Sequence, residues 1–554
     1  MISDILKEKL QKSLGKLGLS ADKVIFEHPG DFSHGDYSTN IALILSKKEK
    51  NSPKELAEKI VENLEKPKEV EKIDVAGAGF INFHLTKEFF ASSLKDATKE
   101  SFGKNKTLAG KKVILEYTDP NPFKIFHIGH LMTNTIGESL SRIAEFGGAD
   151  VRRVNYQGDV GLHIAKAIWS ILKDKKKVET NEDLGEAYSK GSKSFEEDEK
   201  AKEEIIEINK KIYSREDEEI NRVYDQGKEI SLDNFEKMYE KLGTEFDKLF
   251  FESEAGKEGR EIVESNANLF QKSDGAIVFK GENYGLHTRV FINSVGLPTY
   301  EAKELGLAKI KDEYFSYDES YVISGNEVNA YFDVLLEVMK HVYEKEGFAN
   351  KTTHIGHGML RLSEGKMSSR TGDVISADSL LGEIQDKVLE VMEEREVENR
   401  EEVAEMVAIS ALKYSILKQG IGRDIIFNFD KSISFEGDSG PYLQYTTVRA
   451  KSVLDIAKAK GLKPSNELPD DWESIEIERM LYKFPEVILR AWQDKSPQLI
   501  SKFLIDLAGS FNGFYATQKI VEEGGEYKIF LTKAVANTLK NGLHLLGIKI
   551  PEKM

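Results

Sequence analysis

The sequence predicts a multidomain α/β protein. A parallel-sheet domain with a helical insertion is preceded by a small α/β domain and followed by an all-α region. Three observations predict this. The chain has 554 residues, enough for several domains. A strand-like run, Val113–Tyr117, leads through a turn into a helix near His127, and a second strand follows at Val151–Asn155. From about residue 385 apolar residues recur at spacings of three and four, as at Leu481, Phe484, Val487, Ile488 and Ala491.

Residues 1–107 read as the small α/β domain. A first helix ends near Gly18, Ser52-Pro53 starts a later one, and VEKIDVAGAGFINFHLT is a strand pair broken by glycines. Residues 108–430 form the parallel-sheet domain. Its strand–turn–helix–strand opening is the Rossmann-type unit, which binds ligands at the carboxyl ends of its strands. Leu131, Ile136, Leu140, Ile143 and Phe146 give the helix its apolar face, and Gly147-Gly148 ends it. Residues 171–290 read as a charged, largely helical insertion. Its run FEEDEKAKEEIIEINKK and the DKKKV stretch from Asp174 to Val178 are solvated faces. The sheet then resumes through GLPTYEAKELGLAKIK and the strand YVISG. Residues 431–554 are helical, and Tyr442, Tyr445, Phe511, Phe514 and Tyr515 are mostly core within them.

Composition narrows the function. Apolar residues make up 40% and charged residues 31%. No stretch is long and apolar enough to span a bilayer. The amphipathic start, MISDILKEKLQKSLGKLGL, is not a signal peptide, so a cytoplasmic location is expected. With no cysteine, disulfides and thiolate zinc sites are excluded, and no zinc is expected. The net charge of −17 disfavours a general nucleic-acid binder but leaves room for local basic patches.

Two motifs carry chemistry. In PNPFKIFHIGH, His127 and His130 lie three apart at a helix start, where unpaired N–H groups and the helix dipole attract anions. Gly129 between them leaves the backbone open to a flat base or ribose. Further on, GKMSSRTG from Gly365 to Gly372 offers Lys366, Ser368, Ser369 and Arg370 between glycine hinges. Alone, HxGH is as often two surface histidines as a nucleotide site. The pair HIGH and KMSSR is more specific.

That pair, and the wording around it, resembles the arginyl-tRNA synthetases among class I aminoacyl-tRNA synthetases, over nearly the whole chain. The resemblance implies an arginine–tRNA ligase that uses ATP with Mg²⁺, L-arginine and tRNA(Arg), acts as a monomer, and activates arginine only with tRNA bound. It implies catalytic roles for Lys124, His127, His130 and Lys366. ATP contacts are implied for His127, Gly129, His130, His357, Gly358, Met359, Lys366, Met367, Ser368 and Ser369, with adenine met mostly by backbone groups of 357–359. Arginine contacts are implied for Glu116, Asn121, Tyr300 and Glu304; paired carboxylates suit a planar guanidinium. No resident metal site is implied. The N-terminal domain, with His34–Tyr37, Asn40 and Gly79–Phe83, would contact the outer corner of tRNA, and the C-terminal helices would read the anticodon. The chain departs from the family pattern at Val160 (usually Trp), His163 (usually Gln), Glu304 (commonly Asp) and Asn326–Val328 (usually with a Gln). Ser369 stands where the loop's second lysine is usual, and Lys124 is expected to supply the missing cation. Two other readings stay open: another class I synthetase, and a nucleotidylyltransferase with an HxGH helix. A non-catalytic RNA-binding relative is disfavoured by His127, His130 and Lys366.

Overall fold

The computed structural model describes residues 1–21, 24–49, 52–362, 375–393 and 398–554. Packing divides the chain into two units, one of residues 1–103, 446–487 and 506–541, the other of 104–445, 488–505 and 542–554.

The second unit is built on a five-stranded parallel sheet. Its spatial order is Thr352–His357, Glu319–Gly325, Lys112–Glu116, Asp150–Gln157, Lys248–Phe251. Order reverses at Lys112–Glu116, the first strand of this sheet along the chain, so the crevice at its carboxyl end is the switch point where such sheets bind ligands. Val113, Ile114 and Leu115 are fully buried, as a central parallel strand covered on both faces requires. The helix Ile128–Phe146 follows, and Gly148 (φ 87°) ends it in the left-handed conformation.

The stretch 171–290 is not only an insertion. Its helices Asn181–Glu197, Glu199–Ser214 and Glu218–Leu242 are as expected, but Lys248–Phe251 is the sheet's fifth strand, parallel to Asp150–Gln157. Four residues give too short an apolar run to stand out from the surrounding charge. Two further strands, Gln271–Ser273 and Ala276–Phe279, form an antiparallel sheet with Arg289–Ile292.

Glycine fixes how the next helix pair lies. Glu252–Ser265 and Tyr300–Tyr314 approach so closely that a Cβ on Gly259 would meet the Ala302 carbonyl oxygen at 1.8 Å, and one on Gly306 the Ala255 carbonyl oxygen at 2.0 Å. The helix carrying Tyr300 and Glu304 is thereby held against Glu252.

The first unit holds a three-stranded antiparallel sheet ordered Tyr37–Thr39, Phe80–Leu85, Val70–Ala76. The strand pair turns at Gly77 and Gly79 as expected; the short strand inside HGDYSTN was not anticipated. Asp36 is buried, accepting the Leu85 N–H (2.8 Å) and pairing with Arg479 (2.8 Å). Tyr37 donates to Glu486 at 2.8 Å. Asn537 donates to the carbonyls of Ala97 and Lys99, and Asn541 to those of Glu100 and Phe102. Buried polar links join parts of the C-terminal helices to the N-terminal residues in one unit, and helical periodicity alone cannot signal that.

Gly259→Ala is expected to destabilise the second unit by about 2 kcal/mol or more, since the methyl meets backbone rather than a movable side chain. An unchanged urea midpoint would show that the helix pair can separate at no cost.

Candidate active site

The first strand leads into a turn held under strain. Thr118 (φ 79°), Asp119 (φ 45°) and Phe123 (φ 65°) all lie in the left-handed region, where a non-glycine residue costs on the order of 1 kcal/mol or more. Each is held by a neighbour. The Asn134 side chain donates to Thr118 Oγ1 (3.1 Å), and Asp119 accepts the Tyr156 N–H (2.7 Å). Ser231 accepts the Phe123 N–H at 2.9 Å. Asn121 accepts the Gly158 N–H (3.1 Å), and a Cβ on Gly158 would meet Asn121 Oδ1 at 2.3 Å, so any side chain there would displace Asn121.

The turn delivers His127 as the helix cap. His127 Nδ1 accepts the Gly129 N–H, and His130 Nδ1 accepts the His127 N–H, both at 3.1 Å. The rings stack 3.6 Å apart. Because a backbone N–H can only donate, both Nδ1 atoms are acceptors, and the proton of each neutral ring sits on Nε2. Burial, with Lys124 nearby, lowers both pKa values below the usual histidine range, and the His127 ring adds to the effect on His130. The pair is thus two neutral Nε2–H donors. A Cβ on Gly129 would meet the His127 ring at 3.0 Å, a tight contact that the glycine avoids.

Behind the turn lies a buried acidic group. Glu116 pairs with Lys311 at 2.6 Å, both nearly inaccessible. Glu304, half-buried on the facing helix, is pushed up to about 8, first by burial and then by Glu116. Asp119 is raised for the same two reasons in the same order. Three carboxyls thus share one ammonium. The Tyr156 hydroxyl, electrostatically coupled to Glu304 and Glu116, is buried with no hydrogen-bond partner among the described residues. Tyr300 begins its helix 63% exposed, 5.3 Å from the Lys303 ammonium. Lys303 forms a buried ion pair with Glu252.

The turn after the second strand is anchored by Asp159. This buried carboxylate accepts from Tyr224 (2.9 Å), Lys228 (2.8 Å) and both the N–H and hydroxyl of Ser253 (2.9 and 2.8 Å). His163 pairs through Nε2 with the Gly158 carbonyl at 2.8 Å, and burial keeps it neutral, near 3. These residues hold the scaffold.

His357, Gly358 and Met359 follow the edge strand Thr352–His357. Their backbone is largely engaged already. The Gly358 N–H donates to Ile421 O (3.0 Å), the Met359 N–H to Asp424 (2.9 Å), and Met359 O accepts from Ile425 (2.8 Å). His357 Nδ1 donates to Gly358 O at 2.6 Å. The exposed Met359 side chain and spare carbonyl lone pairs remain for a ligand.

Lys366, Met367, Ser368 and Ser369, with Arg370, lie outside the described residues. The segment just beyond does not: Ile375 O accepts the Ile128 N–H (3.2 Å), and the Ala377 N–H donates to Phe126 O (2.8 Å). Residues 375–377 are therefore held beside His127. Among the described residues no group of three or more His, Asp or Glu is arranged to hold a metal ion.

Of the expected residues, Glu116, Asn121, Lys124, His127, Gly129 and His130 lie along one strand–turn–helix segment, and Glu304 on a later helix lies close enough to Glu116 to feel its charge. The sequence reading missed Asp119, Tyr156 and Lys311. Asp119 was visible beside two prolines, but nothing in the sequence marked Lys311, seven residues after Glu304, as the partner of Glu116.

Comparison with known proteins accords with this geometry. The family described as tRNA synthetases class I (R), catalytic domain, matches residues 94–429. The DALR anticodon binding domain matches 443–554, and the arginyl tRNA synthetase N terminal domain 2–85. The arginine–tRNA ligase of Clostridium acetobutylicum is 31% identical, and that of Halothermothrix orenii 30%, each match covering 99% of both chains. The fold matches the arginyl-tRNA synthetase of Thermus thermophilus over the full length of both chains, with a TM-score of 0.82 at 23% identity. With its three domain matches in order and relatives aligned end to end, the chain belongs to the arginyl-tRNA synthetase family.

Proposed function

We infer that this chain is an arginine–tRNA ligase, which activates L-arginine with ATP and transfers it to the 3′-terminal adenosine of tRNA(Arg). The observation that supports this reading most is the charge imbalance of the pocket. Glu116, Asp119 and Glu304 face a single buried ammonium, Lys311. A guanidinium supplies the missing charge and can donate to two carboxylates in fixed fork geometry. Asn121 and Tyr300 flank it, and the unpaired Tyr156 hydroxyl can join.

In the first step the arginine carboxylate attacks the α-phosphorus of ATP. A new P–O bond forms as the bond to diphosphate breaks, and negative charge builds on the phosphoryl and diphosphate oxygens. Preorganised donors stabilise that charge. The Nε2–H groups of His127 and His130 and the Lys124 ammonium do so from the turn, and Lys366 from its loop. Mg²⁺ enters with ATP and neutralises phosphate charge. His357, Gly358 and Met359 border the adenine, chiefly through the Met359 side chain, while Met367, Ser368 and Ser369 accompany Lys366. In the second step the terminal adenosine's hydroxyl attacks the arginyl carbonyl and AMP leaves.

The domain roles follow the family: 1–107 for the tRNA corner, 108–430 for catalysis, 431–554 for the anticodon. Tyr515 is 43% exposed with the Arg449 guanidinium 5.1 Å from its ring, which suits stacking on a base. A monomeric, cytoplasmic enzyme needing no zinc completes the reading; no helix among the described residues is long and apolar enough to cross a membrane.

Charging assays with total tRNA and each of the twenty amino acids test the assignment. Arginine alone should be charged, and diphosphate exchange should require tRNA. Efficient charging of any other amino acid overturns the reading. Glu304→Gln should raise the KM for arginine about tenfold or more, by weakening a charge-assisted bond, and leave that for ATP unchanged. An unaltered arginine KM would remove Glu304 from the pocket.

A further inference from the structure

The helical insertion, which its charge marks as a solvated face, reaches the segment that carries Lys124 at three points. The Lys124 ammonium lies 5.1 Å from the centre of the Tyr188 ring. The Phe123 N–H, one residue earlier, donates to Ser231, whose hydroxyl donates on to Gly227 O at 2.9 Å. A Cβ on Gly227 would strike the buried Phe123 ring at 2.3 Å, so the glycine makes the space that ring occupies. Tyr188 itself sits on a firmly seated helix. Asn181–Glu197 is capped by Thr180, and its Gly191 packs so near the Lys166 carbonyl that a Cβ would lie 2.0 Å away.

We propose that Tyr188 is a positioning residue for Lys124, so that the insertion belongs to the apparatus that activates arginine. Among the described residues the Lys124 ammonium has no ion pair or side-chain hydrogen bond, and the Tyr188 ring is the contact that confines it. A lysine on a free four-carbon stem spreads over many rotamers. An aromatic face attracts the ammonium without discharging it, whereas a carboxylate in that place would neutralise the charge that the phosphates need. Ser231 and Gly227 fix the backbone from which the stem starts. The inference rests on the reading of Lys124 as the cation that stabilises the transition state.

The test is arginine activation with tRNA present, measured for Tyr188→Leu, Tyr188→Phe, Lys124→Ala and the Leu/Ala double variant. Lys124→Ala is expected to slow activation about 10²–10³-fold. Tyr188→Leu should lower kcat about tenfold with arginine and tRNA KM unchanged, and Tyr188→Phe, which keeps the ring face, should recover most of that loss. In the Lys124→Ala background, Tyr188→Leu should have no further effect. Equal losses in the Phe and Leu variants, or an undiminished Leu effect without Lys124, overturn the inference. If Lys124→Ala is slow but Tyr188→Leu is normal, the inference alone falls; if Lys124→Ala is normal, the reading of Lys124 falls with it.

Discussion

The turn between the first strand and the HIGH helix places three non-glycine residues, Thr118, Asp119 and Phe123, in a backbone region that disfavours them. Such a turn persists only where its surroundings over-determine it. Here a side chain from the helix (Asn134), a backbone N–H from the second strand (Tyr156) and a side chain from the insertion (Ser231) each hold one of the three. The turn in return carries Asn121 and Lys124 and leads from Glu116, at the end of the strand, to His127 and His130 at the start of the helix. Much of the surrounding fold can be understood as keeping it there: Asp159 ties the insertion to the second strand, and Gly158 admits Asn121.

Electrostatics divides this crevice in two. On the nucleotide side, burial keeps both imidazoles neutral, and hydrogen bonds to Nδ1 leave Nε2–H as the outward donor. They can therefore bind phosphate oxygens without drawing in a stray anion through net charge. On the amino-acid side, carboxyls outnumber cations, and burial together with the neighbouring Glu116 carboxylate raises Glu304 and Asp119. The Glu116–Lys311 pair, 2.6 Å apart, fixes one carboxylate in place beside them. The site is thus built around a charge that the substrate brings.

The sequence made the central architecture readable because periodicity and motif agreed there. The apolar run Val113–Leu115, the helical spacing from Leu131 to Phe146 and the glycines after it predict a strand and helix that lie where expected. Other elements were hidden for identifiable reasons. Lys248–Phe251 is too short, and its surroundings too charged, to read as a sheet strand. The strand in HGDYSTN spans three residues. Lys311 acquires its meaning only when helix and strand lie side by side. Tyr188, the Lys124 contact, sits in a stretch whose composition reads as solvent-facing.

The account depends most on the claim that the pocket awaits a positive charge. Calorimetric titration of the protein with L-arginine at pH 7, in buffers of different ionisation enthalpy, tests it directly, with L-citrulline as the neutral near-isostere. Glu304, pushed up to about 8 by burial and Glu116, should ionise as the guanidinium arrives, so arginine binding should release protons to the buffer and citrulline should not bind measurably. Citrulline binding as tightly as arginine, with no proton released by either, would contradict the account.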